Sequence, residues 1–355
     1  MDFPDMFRHL EASVYSAWRN GGESPDHLAT AAVDGIKASR ELFDLDPMLC
    51  LKWLTETENL PSQFDRAIEA FSMTVVSNQD FHIHLHFWER NASFAHRHRT
   101  CGAFAAISGR RLHVAYAYEA ETPPHNNVTL GRLEPKLVEM MSSGDVRPIQ
   151  PGLIHDLYWI EKPAVTLTVR CAIHPSRKPE LPLYYVEPGI EYLDAPYYRD
   201  LVVKKKLAGL RLLRKVNETL YREALAKLLR SDDWSLAFHA AADGIAGSVP
   251  SLRKLLRDAA SDRQDELMAA LLQAVEPLQR RQVFEHVYAK TPEAQLLAAL
   301  LRARLSTDQL LRLVSREYPD HDPAGLVLAS GAELIEISPA TRPYVEEALS
   351  GVAAG

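Results

Sequence analysis

The sequence predicts an α+β protein in which a small β-barrel or sandwich lies between an N-terminal helical segment and an all-α C-terminal domain. Two changes of pattern predict it. Residues 1–68 carry helical spacing, residues 69–196 break into short β-rich runs, and residues 197–355 return to helical spacing. The two boundaries are drawn where the period changes.

In the first segment, "SPDHLATAAVDGIKASRELF" opens with Ser24 as a cap and Pro25 at the first helical position, and "DPMLCLKWLTE" repeats that logic at Asp46 and Pro47. The middle segment offers the strands "FSMTVV", "FHIHLHFW", "GAFAAISG", "RLHVAYAY", "AVTLTVRCA" and "LPLYYVE", separated by turn residues such as "SNQD", "ERNAS" and "EPG". Short strands at this spacing suit a sandwich or small barrel. The last segment begins with "RDLVVKKKLAGLRLLRKVNETLYREALAKLL" and continues in shorter helices opened by Ser or Thr, as in "SVPSLRKLL", "TPEAQLLAALL" and "STDQLLRLV". A short strand at "AELIEIS" is expected to close it. The tyrosine-rich "LPLYYVEPGIEYLDAPYY" is expected to close the barrel mouth against the C-terminal domain.

Composition narrows the function. With 355 residues, 46% of them apolar, the chain can build more than one core. Its net charge of −7 comes from interspersed acids and bases, which excludes a global attraction to nucleic acid or an acidic membrane. The expected partners are small molecules or proteins. The cysteines, Cys50, Cys101 and Cys171, are odd in number and widely spaced, against a disulfide framework or a zinc knuckle and in keeping with a reducing cytoplasm. The N-terminus has acids where a signal peptide needs bases, and no apolar run approaches the roughly 18 residues of a membrane span. Dinucleotide, nucleotide-triphosphate, zincin and serine-hydrolase motifs are missing. The run Lys204 to Lys206, with Arg211, Arg214 and Lys215, reads as the solvated side of a helix; the alternative is a docking surface for an acidic partner.

The chemistry concentrates in "FHIHLHFWERNASFAHRH", which holds five of the 14 histidines. On a strand, His96 and His98 project to the same side and can hold one ion between them. Downstream, "HRHRTCGAFAAISGR" ends a small apolar run at Gly109, and "GDVRPIQPGLIHD" places a Pro-Gly turn just before His155. On the preceding strand His82, His84, His86 and Trp88 share one face and Ile83, Leu85 and Phe87 the other. Pattern alone puts the apolar face in the core and the histidines in solvent. His113 and His174 read as ordinary strand or loop residues.

These segments resemble the two motifs of the cupin superfamily, in which an HxH pair and a histidine from a distant strand meet inside a small β-barrel. The resemblance implies that His96, His98 and His155 share a metal. Over roughly Phe71 to Arg170 the chain is most similar to the thiol dioxygenases: an aromatic strand ending in Trp88, the HxH pair, the Pro-Gly-xx-His turn, and "EKPAVTLTV" at nearly the family's spacing. The resemblance turns His86 and Trp88 inward, with His86 as an acid, base or hydrogen-bond donor. It also matches Ser93 to a pocket residue. The usual glutamate ligand would fall at about Gly102, beside Cys101, so three neutral imidazoles are left, a set suited to Fe(II) with open positions for substrate and O2. The same trio could hold Zn(II) or Mn(II) for lyase or hydrolase chemistry.

The family's pocket is altered. Its carboxylate-binding arginine and nearby tyrosine fall at about Met73 and Phe71, and its serine, histidine and tyrosine after the third ligand become Thr166, Thr168 and Arg170. Met73, Ser93 and Thr168 are therefore the expected substrate contacts. Arg170 could hold a carboxylate from the opposite wall, or be a surface arginine. The tyrosine that cross-links to a cysteine in some members has no counterpart. The expectation is a cytoplasmic Fe(II) oxygenase acting with O2 on a thiol-containing or other small or peptide-presented substrate, not free cysteine, with a possible protein partner on the helical domain. A noncatalytic ligand-sensing or scaffold protein is a further alternative.

Overall fold

The computed structural model describes residues 3–63, 70–89, 92–171, 183–193, 200–247, 251–263 and 266–353. The expected boundaries at 68 and 196, His174, the start of "SVPSLRKLL", and Tyr197 and Tyr198 lie outside them.

Three helices come first, α1 (Phe3–Asn20), α2 (Pro25–Ala38) and α3 (Pro47–Glu56). Ser24 and Asp46 cap the last two, each accepting a backbone N–H two residues on, with proline at the first helical position. Eleven strands follow among the described residues: β1 (Ala70–Ser77), β2 (His82–Trp88), β3 (His96–Arg97), β4 (Gly102–Ser108), β5 (Arg111–Ala120), β6 (Val128–Met141), β7 (Val146–Ile149), β8 (Ile154–Trp159), β9 (Ala164–Arg170), β10 (Leu183–Val186) and β11 (Ile190–Leu193). They form a five-stranded sheet, β1-β2-β9-β4-β7, and a closed six-stranded barrel, β10-β11-β6-β5-β8-β3. With helices on either side in sequence, this is the α+β architecture around a small β-barrel that the changes of pattern predict.

The five-stranded sheet is buried on both faces. Ile83, Leu85 and Phe87 of β2, Ala103, Ala105 and Ile107 of β4, and Val165, Leu167 and Val169 of β9 pack against Phe7, Leu10 and Val14 of α1 and Leu28, Ala32 and Ile36 of α2. Of the alternate residues, His86, Trp88, Phe104, Thr166, Thr168 and Arg170 line the cavity described below. β6, the longest strand, does not read as one in sequence because Gly131, Pro135 and several charges interrupt it. Pro135 pairs opposite Tyr116, where the register to β5 shifts, and its neighbours are exposed, so the missing N–H is tolerated.

The C-terminal domain contains α4 (Leu201–Val216), α5 (Glu218–Leu229), α6 (Trp234–Ala246), α7 (Leu252–Arg263), α8 (Glu266–Glu285), α9 (Pro292–Arg302), α10 (Thr307–Glu317), α11 (Pro323–Ile337) and α12 (Arg342–Ala353). Asn217 ends α4 and caps α5, dividing the long basic helical run in two. The β10–β11 hairpin packs on α6, with the Tyr192 and Phe238 rings 4.4 Å apart, as the tyrosine-rich stretch suggests. Helices α8, α9 and α11 continue the core of β5 and β8. "AELIEIS" is not a strand: it forms the end of α11. Asp322 caps that helix, Pro323 starts it, and Val327, Ser330, Gly331 and Leu334 bury one helical face, so the tertiary packing overrides a local two-residue alternation. No described helix is long and apolar enough to cross a membrane.

Candidate metal centre

His96 lies on β3, His98 just beyond it, and His155 on β8 directly opposite His96 in the antiparallel register. Pairing, not sequence distance, brings the three together: their rings are 4.8 to 4.9 Å apart centre to centre. One nitrogen from each lies within 4.8 Å of the others. His98 Nε2 and His155 Nε2 face each other at 2.9 Å. Two nitrogens at right angles on an ion with metal–nitrogen bonds of about 2.0–2.1 Å would be about 3 Å apart, the spacing of the His98–His155 pair, and His96 stands close enough to complete a three-nitrogen set.

Two of the three, His96 and His155, are oriented by what holds the other ring nitrogen. His96 Nδ1 donates to the Phe94 carbonyl at 2.7 Å, leaving Nε2 for the centre. His155 Nδ1 lies 3.1 Å from His113 Nε2, and His113 Nδ1 lies 2.9 Å from Glu139 Oε1. Arg147 grips the same carboxylate through Nε and Nη2 at 2.8 and 2.7 Å. Since a carboxylate only accepts, His113 donates from Nδ1 and accepts from His155, which leaves the His155 Nε2 lone pair facing the centre. Burial opposes ionisation of Glu139, but the hydrogen bonds from His113 and Arg147 and the guanidinium charge hold its carboxyl at about 2. Burial, then the neighbouring histidines, pushes His155 well below the ordinary imidazole range; burial also lowers His96. Both favour the neutral, metal-binding form.

A cavity of about 140 Å³ adjoins the triad, with a mainly apolar lining that includes Phe94, Phe104, Ile149 and Leu157. His86, Trp88, Ser93, Thr168 and Arg170 line it as well. The strand face that pattern assigned to solvent is therefore interior, as the resemblance implied. Met73 is placed elsewhere: it is opposite Leu85 on β1 and fully buried in the core beneath the N-terminal helices. Both nitrogens of His86 are engaged, Nδ1 with Ser72 Oγ at 2.5 Å and Nε2 with Thr168 Oγ1 at 3.0 Å. Ser93 turns its hydroxyl to Asp156 at 2.7 Å, beside the ligand His155. Arg302 of α9 donates to the Ser93 carbonyl at 3.2 Å, so the helical domain braces the loop that presents the HxH pair.

Trp88 stacks on Trp159, ring centres 4.1 Å apart, and its Nε1 donates to Thr166 Oγ1 at 2.9 Å. Arg111, fully buried, donates to the same hydroxyl and to the Ser108, Gly109 and Val165 carbonyls. Burial pushes its guanidinium down to about 9, leaving it charged at neutral pH. Arg170 Nε is buried without a hydrogen-bond partner among the described residues. Gly102 has φ +147°, and a β-carbon there would lie 1.9 Å from the Val169 carbonyl oxygen.

Two residues escaped the sequence reading. His113 sits in an ordinary-looking strand; only the diagonal across β5 and β8, where Ala115 pairs with His155, puts it against the ligand. Arg111 reads as a strand-end charge.

No family model and no curated protein matches the sequence. Among solved structures the chain is similar to a tryptophan variant of Bacillus subtilis oxalate decarboxylase, with 16% identity over 33% of this chain and 28% of that one, at a TM-score of 0.23. It is also similar to a hydroquinone 1,2-dioxygenase in complex with Cd2+ and 4-hydroxybenzonitrile (15% identity, 32% and 68% covered, TM-score 0.23). A recombinant oxalate oxidase in complex with glycolate shares 13% identity, with 48% and 80% covered and a TM-score of 0.24. The matched stretch spans less than a third of the oxalate decarboxylase chain. Scores this low carry no argument about chemistry.

Proposed function

We propose that the chain is a cytoplasmic mononuclear non-haem Fe(II) oxygenase of the cupin type that oxidises a small thiol-containing or peptide-presented substrate with O2. The observation that carries the reading is the donor set: three imidazoles with no carboxylate among the described residues of the cluster, beside a largely apolar cavity. Fe(II) held there would supply open positions for a substrate donor and O2. The chain's own residues do the rest. Trp88, Phe104 and Leu157 exclude water, His86 holds a proton at Thr168 Oγ1, and Arg170 offers a guanidinium for a substrate carboxylate. The loss of the family's clamp, with Met73 in a separate core, speaks against free cysteine.

The test is anaerobic metal analysis followed by Fe(II) reconstitution and nitric oxide, read by electron paramagnetic resonance. One iron per chain with a high-spin iron–nitrosyl signal, followed by thiol-dependent O2 uptake, is the expected result. Tightly held zinc or manganese with no O2 uptake would replace the oxygenase reading with lyase or hydrolase chemistry, which the same three histidines would serve.

A further inference from the structure

Cys101 and Cys171 are 70 residues apart in sequence, yet the strand register sets them opposite one another, just beyond the Gly102–Arg170 pair of β4 and β9. Cys171 N–H donates to the Cys101 carbonyl at 3.0 Å, Cys101 N–H points at Cys171 Sγ at 3.3 Å, and the two sulfurs are 3.1 Å apart. Both thiols face the core beneath the N-terminal helices, Cys101 fully buried and Cys171 8% exposed. The remaining cysteine, Cys50, directs its sulfur to the Asp46 carbonyl within its own helix.

We propose that Cys101 and Cys171 form a site of oxidative cross-linking, a dithiol that closes to a disulfide with a peroxide as oxidant. Cys171 retains some exposure and reacts first: its sulfur attacks one peroxide oxygen, the O–O bond breaks, and a sulfenic acid forms with release of water. Cys101 sulfur then displaces the hydroxyl from Cys171, forming the S–S bond and a second water. Two thiols lose two electrons and two protons, and one peroxide becomes two waters. The hydrogen bond between the thiols, with burial, pushes the Cys101 thiol up, so its attack on the sulfenic acid is slow at neutral pH and quickens as pH rises. The bond would pin the strand ends that carry Gly102 and Arg170 and leave the three metal ligands untouched. The proposal is independent of the oxygenase reading, since it requires only the two strands and an oxidant.

The test uses the full chain loaded with zinc, which is redox-silent. It is treated with hydrogen peroxide, quenched with catalase, unfolded, alkylated and weighed. Three alkyl groups are expected before peroxide, one for each cysteine, and one afterwards, with peptide mapping joining Cys101 to Cys171. Closure of so long a loop should also raise Tm by about 4 °C or more. A Cys50→Ser variant should still cross-link, whereas in Cys101→Ser the remaining thiol should climb to the sulfinic acid. Three alkyl groups surviving peroxide, a sulfinic acid in place of the link in the wild-type chain, or a link through Cys50 would each overturn the proposal.

Discussion

The two faces of the five-stranded sheet are equally buried and chemically opposite. Beneath the N-terminal helices, β2 presents Ile83, Leu85 and Phe87 to an apolar core; on the cavity side it presents His82, His84, His86 and Trp88. Imidazoles can share that interior because each of the three meets a hydroxyl, from Ser77, Thr74 and Ser72 in turn. Burial alone does not separate a structural face from a functional one. The difference lies in whether polar atoms find partners, and in what those partners leave pointing at the cavity.

Breaking the histidine cluster across the cavity from the polar face should give the largest effect. His155→Ala removes one of three ligands, so metal affinity should fall by more than the 10- to 100-fold typical of a supporting residue, while a protein that still binds one metal tightly by elemental analysis would refute the triad. Leu85→Ala strikes the opposite face: unfolding should be easier by about 2–5 kcal/mol in a urea titration, with metal stoichiometry preserved in the folded protein. His113→Ala tests the Glu139–His113–His155 chain, with an expected 10- to 100-fold loss of metal affinity by competitive chelation. Trp88→Phe keeps the stacking partner Trp159 but deletes the bond to Thr166, a loss of about 1 kcal/mol in the same urea titration.

A further effect is in pH. Because the folded Glu139 carboxyl titrates at about 2, below its usual 4.5, its stabilising contribution is fully present above 4.5 and disappears as pH falls towards 2. The Tm difference between metal-free wild type and Glu139→Gln should therefore shrink over that interval. A difference that stays constant down to pH 2 would mean the carboxylate contributes nothing through its charge.

The convergence of His96, His98 and His155 was legible because the resemblance that implies it rests on short local motifs: an HxH pair on one strand and a Pro-Gly turn ahead of the third histidine. Helix starts at Ser24, Asp46, Thr291 and Ser306 were legible for the same reason, since a cap acts within three residues. His113, Arg111 and the Cys101–Cys171 contact were not, because each depends on strand register, which brings together residues 42 to 70 apart. "AELIEIS" shows the reverse error, a convincing local alternation overruled by a helix that begins ten residues earlier at Asp322 and Pro323.

Gly102 limits how this site could change over generations. Where the family pattern would place a glutamate ligand, any side chain would run into the backbone of β9, and the φ of +147° disfavours every other residue as well. A single codon change cannot restore the fourth, negatively charged donor; the neighbouring strand would have to move first. A divalent ion held by the three histidines alone would keep its full positive charge for whatever enters the cavity, and Glu139, Arg147 and Asp156 in the outer layer are places from which selection could tune it.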